Sequence, residues 1–124
     1  MASILTTTAS LTVSGLAPVA SGGQASQITL AGDSDVAGET QDIGLSTEAI
    51  TLGEIGVTNA ASILIKNLDA ANFISVGFAT PVVPGTNTFK VRAGEVLLLT
   101  GVSNQLYALA DTGVIKVHKW AVEN

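Results

Sequence analysis

Ile63-Leu64-Ile65, Phe73-Ile74-Ser75-Val76-Gly77-Phe78, Phe89-Lys90-Val91-Arg92-Ala93-Gly94-Glu95-Val96-Leu97-Leu98-Leu99 and Val114-Ile115-Lys116-Val117-His118-Lys119-Trp120 follow one another through the second half of the chain. Each run is short and rich in β-branched, aliphatic or aromatic residues, and each is bounded by Asn, Asp, Gly or Pro. Short strands punctuated in this way predict an all-β fold, an antiparallel sandwich or barrel. In Ile63-Leu64-Ile65 three consecutive apolar residues imply burial on both faces, at the centre of a sandwich or against a neighbouring subunit. Two-residue alternation places Ile74, Val76 and Phe78 on one face. It turns Phe89 and Val91 inward and Lys90 and Arg92 outward. Ala93-Gly94-Glu95 is the turn into Val96–Leu99, where Leu97, like Ile65, is expected in the core.

Outward from this region the pattern thins. Residues 1–26 are rich in Ala, Ser, Thr and Gly, with Pro18 and Gly22-Gly23 interrupting any regular element. They read as a flexible or extended N-terminal arm able to add a strand to a neighbour, and residues 27–124 read as the β-sandwich domain. Gln27-Ile28-Thr29-Leu30 is a candidate strand leading into the acidic stretch Gly32–Asp42. That stretch imitates a calcium loop at Asp33, Asp35 and Gly38. The imitation fails at the fifth and twelfth positions, where Ala37 and Gly44 offer no side-chain oxygen. A solvated loop is the reading, with no metal and no cofactor. Ile43–Gly53 offers two further short strands, with Ile50 and Leu52 on one face of the second. Thr80–Asn87 is a loop stiffened by Pro81 and Pro84.

The 124 residues suit one domain with one core. The chain is 47% hydrophobic and only 12% charged, so its surface must be covered by small residues or buried against other copies. A homo-oligomer, most simply a homotrimer, is expected, because monomers seldom leave extended apolar surface wet. All five basic residues follow Ile65, and six of the ten acidic residues precede it. No basic face gathers to neutralise phosphates, so nucleic acid is not an expected partner. Membrane association is not expected either: no run approaches the roughly 18 apolar residues of a span. Met1–Leu5 lacks the charged start of a secretory signal, which predicts synthesis in the cytoplasm as a soluble chain. With no cysteine, neither a disulfide framework nor a thiolate metal site is available.

Ile63-Leu64-Ile65-Lys66-Asn67-Leu68-Asp69, Phe73-Ile74-Ser75-Val76-Gly77, the Ala93-Gly94-Glu95 turn and Leu106-Tyr107-Ala108-Leu109-Ala110 stand in this order and cover about half the chain. The series resembles small virion proteins of tailed bacteriophages, of the capsid decoration or cement kind. The resemblance implies a jelly-roll-like β-sandwich on the capsid surface or in the tail apparatus. It also implies a structural role: bridging neighbouring capsomers by contact with the major capsid protein. Localisation would then be the virion, after synthesis in the host cytoplasm. A tail or head-fibre component shares these traits, and a carbohydrate-binding β-sandwich module is the alternative of another class, with Trp120 and Tyr107 as its candidate platforms.

No enzyme is expected. His118 is the single histidine, no Gly-x-Ser-x-Gly elbow accompanies it, and no pair of carboxylates is framed by a cleft signal. Lys116, His118 and Trp120 instead fall at alternate positions of one strand. They are the candidate interface residues.

Overall fold

The computed structural model describes residues 4–13, 20–29, 36–53 and 55–123. The chain divides into two compact units, Met1–Ser34 and Asp35–Asn124. In the first, β1 (Ile4–Val13) and β2 (Ala20–Thr29) form an antiparallel pair in unbroken register from Ile4↔Thr29 to Val13↔Ala20. Ile4, Thr6, Thr7 and Thr8 supply the β-branched side chains that suit a pleated strand. The division expected after residue 26 falls inside β2, where Gln27, Ile28 and Thr29 pair with Thr6, Leu5 and Ile4.

The second unit holds β3 (Val36–Ile43), β4 (Glu48–Ala49), β5 (Ala60–Asn67), β6 (Ile74–Gly77), β7 (Thr88–Val91), β8 (Val96–Thr100), β9 (Tyr107–Ala110) and β10 (Ile115–Glu123). They form two four-stranded antiparallel sheets, in the orders β3-β10-β5-β8 and β4-β9-β6-β7. Ile43, Ile63, Ile65, Ile115 and Val117 from the first sheet share one core with Ile74, Val76, Val91, Ala108 and Ala110 from the second. The architecture is therefore all-β and sandwich-like. The same alternation that buries these residues leaves every second residue of β10 and β5 on the outer face of the first sheet.

Local chemistry sets the corners. Asn67 is fully buried; its Nδ2 donates to Asn72 O at 2.9 Å and Val91 O at 3.0 Å, and its Oδ1 accepts from Asp69 N at 2.8 Å. Its backbone carries β5 into the Ala93-Gly94-Glu95 turn, accepting from Gly94 N and donating to Glu95 O, each at 3.0 Å. Gly94 has φ of +74°, which a glycine adopts without a Cβ penalty. Asp69 in turn accepts from the N–H groups of Asn72 and Ala71, which hold its carboxyl below the usual range.

Three expectations are corrected. The part of the acidic stretch that lies in Val36–Asp42 is not a solvated loop but most of strand β3, paired with β10 from Ile115↔Ile43 to Val122↔Val36. Asp33 and Asp35 of the calcium-loop comparison lie outside the described residues. Phe89, at an inward position, is 44% exposed because β7 is a sheet edge, and Phe78 is equally exposed beyond the end of β6. Leu97 packs on the core but is only partly buried, since β8 is also an edge.

Candidate interaction face

β10 turns Ile115, Val117, Lys119 and Ala121 inward, so Lys116, His118, Trp120 and Val122 lie on the outer face of the β3-β10-β5-β8 sheet. The structure thus brings the three expected residues to one face. His118 and Trp120 stack, with ring centroids 3.9 Å apart and planes inclined by 26°. Lys116 stands 3.9 Å from Asp42 on β3, both side chains largely solvated. Trp120 leans toward β3, where Gly38 leaves room: a Cβ there would come 3.3 Å from the indole Cδ1.

The register extends this stripe across the sheet. Trp120 is opposite Leu64, and Leu64 is opposite Leu98; His118 is opposite Lys66, and Lys66 is opposite Val96. An apolar row, Trp120–Leu64–Leu98, therefore crosses three strands beside a mixed row of His118, Lys66 and Val96. Trp120 is 41% and Val96 52% exposed, and Leu64 and Leu98 are partly exposed. Sequence reasoning found Trp120 but not the row. The members lie in three separate segments, and only the strand order aligns them.

A second cluster escaped the sequence reading. Lys119 is 1% exposed and Ile-like in its position on β10, yet it carries a charge into the interior. Its Nζ donates to Glu39 Oε1 at 3.0 Å, to Gln41 Oε1 at 2.8 Å, to Thr51 Oγ1 at 3.2 Å and, by a short contact, to Thr51 O. Glu39 Oε1 also accepts from Gly53 N at 3.1 Å, and Gln41 Nε2 donates to Ala49 O at 2.9 Å. The Lys119 ammonium, with the Gly53 N–H, holds the Glu39 carboxyl below its ordinary range. These acceptors satisfy the donors of the buried side chain, which offsets the cost of taking it out of water. Its work is to tie edge strand β3 to segment 49–53.

A shallow cleft of about 80 Å³ lies at the end of β6, lined by Gly77, Pro81, Val82, Val83, Thr86 and Thr88 among others. It is smaller than the several hundred Å³ of a small-molecule site. Among the described residues no group of three His, Asp or Glu is placed to hold a metal ion, and no helix is long and apolar enough to cross a membrane. No family model, curated protein or solved structure matches this chain.

Proposed function

We propose that the protein is a structural subunit of a tailed-phage virion that decorates or cements the capsid, held to the major capsid protein through the outer face of the β3-β10-β5-β8 sheet. The observation that carries the reading is the row Trp120–Leu64–Leu98, an apolar surface on a chain with few charges to keep it wet. The order of the sequence elements from Ile63 to Ala110 supports the virion class. Strand order supports a jelly-roll reading of the sandwich: the sheets contain the first, eighth, third and sixth strands of the second unit, and the second, seventh, fourth and fifth. Contact would act additively, each copy adding apolar burial across neighbouring capsomers, and the protein would act as a homo-oligomer, with a trimer the simplest form.

The test is co-sedimentation with expanded empty shells of the major capsid protein encoded nearest to this gene. Wild-type protein should pellet with the shells, and Trp120→Ala should weaken binding by about 1–3 kcal/mol, the range of an aromatic anchor. Wild-type protein that stays in the supernatant at tens of micromolar overturns the reading.

A further inference from the structure

We infer that the free edge of β8 is a self-association edge, pairing antiparallel with β8 of a second copy in a register centred on Leu98. The strand ends its sheet: it pairs with β5 on one side, and among the described residues no strand pairs with the other. Asn67 N donates to Glu95 O at 3.0 Å, which fixes the phase of the β5–β8 ladder. By the antiparallel alternation the backbone groups of Leu97 and Leu99 then face β5, and those of Val96, Leu98 and Thr100 face the open edge. An open row of donors and acceptors on an apolar strand is a template for another strand.

The occupant follows from what this edge lacks. Proteins blunt exposed edges with charge, proline or brevity, and the other edges of the two sheets are blunted: β3 by Glu39 and Asp42, β4 by its two-residue length and Glu48, β7 by Lys90. β8, Val96-Leu97-Leu98-Leu99-Thr100, has none of these devices. Its inward residues, Leu97 and Leu99, remain partly exposed although they pack on the core. A partner strand must therefore be apolar on both faces and uncharged, and among the edge strands of the two four-stranded sheets β8 is the one with that pattern. Paired about Leu98, each Leu97 meets the other copy's Leu99, each Val96 meets Thr100, and each Glu95 falls opposite Gly101. No like charges are opposed. The outer row Trp120–Leu64–Leu98 becomes continuous across both copies, doubling the apolar band. Such a contact is isologous and makes dimers. A trimer would need a further, three-fold contact.

The inference deepens the self-association in the proposed function, and its test contains no capsid protein, so its failure leaves capsid attachment standing. The chain has no cysteine, so an introduced one reports alone. In the proposed register the two Leu98 Cα atoms lie about 5.5 Å apart, inside the range that a disulfide spans. Leu98→Cys under mild oxidation should give a covalent dimer as the main species. The double variant Val96→Cys/Thr100→Cys, at two exposed positions whose change does not threaten folding, should do the same. Thr40→Cys, on the outer face of β3, should stay monomeric on a denaturing gel. Monomer on the gel from folded Leu98→Cys and from the double variant overturns the pairing, as does a wild-type monomer mass by light scattering at tens of micromolar. Cross-linking of Thr40→Cys as efficient as that of Leu98→Cys overturns it too, because collision alone then explains the dimer.

Discussion

Replacing Lys119 and Glu39 singly and together isolates an ion pair that the fold half buries. Lys119→Met keeps the aliphatic stem in the interior but removes the donors to Glu39, Gln41 and Thr51. Glu39→Ala leaves a cation that is 1% exposed facing only neutral acceptors. Breaking a fully buried pair costs about 3–5 kcal/mol, whereas an exposed pair couples by about 0.2–1 kcal/mol. Here the lysine is buried and the glutamate side chain is 40% exposed, so the coupling belongs between these limits, at about 1–2 kcal/mol. Urea unfolding of the four proteins of the cycle measures it. The parallel cycle on Arg92 and Glu95, 3.5 Å apart with both side chains well solvated, should give less than about 0.5 kcal/mol. Equal couplings from the two cycles would refute the reasoning, since burial would then contribute nothing. The pH profile carries a second check. Lys119 and Gly53 lower the folded-state value of Glu39 below 4.5, so the unfolded chain takes up this proton first. The stabilisation is complete above about 4.5 and is lost as pH falls through the folded value. In Lys119→Met that acid loss should shrink, leaving the part due to Gly53 and Thr51.

Trp120→Ala should lower folding stability by less than about 1.5 kcal/mol while weakening assembly, because the indole is 41% exposed and rests on His118; thermal melts beside a binding titration separate the two. Ile65→Ala should cost about 2–5 kcal/mol and Leu97→Ala less, near the low end of that range, since Ile65 is fully enclosed and Leu97 is not. Asn67→Leu should cost about 2–4 kcal/mol in a denaturant melt, because Asn72 O, Val91 O and Asp69 N lose their side-chain partners at a buried site. A neutral outcome there would mean that backbone contacts alone hold the corner.

The second-half strands were legible because hydrophobic period and turn chemistry agree there. Asn67-Leu68-Asp69 and Ala93-Gly94-Glu95 are turn sequences whose side chains and positive φ make the corners on either side of β5 and β8. β3 was not legible. Gly38, Glu39 and Asp42 disfavour strands locally, and the partner that makes them a strand is β10, with Lys119 meeting Glu39 across about 80 residues of sequence. The buried lysine was hidden for the same reason: Lys116 and Lys119 look alike in sequence, and only strand phase puts one in water and the other inside. At the candidate face, alternation alone put Lys116, His118 and Trp120 together. The row through Leu64 and Leu98 needed the sheet order, which no local pattern encodes.

The central claim, that the outer face of the β3-β10-β5-β8 sheet is the attachment face, is tested most directly at Trp120, the single tryptophan of the chain. Protein labelled with fluorotryptophan gives one fluorine resonance. On titration with expanded empty shells that resonance should shift or broaden in step with co-sedimentation, as the indole leaves water. Shell binding with an unchanged, sharp resonance would contradict the claim and move the contact surface away from this face.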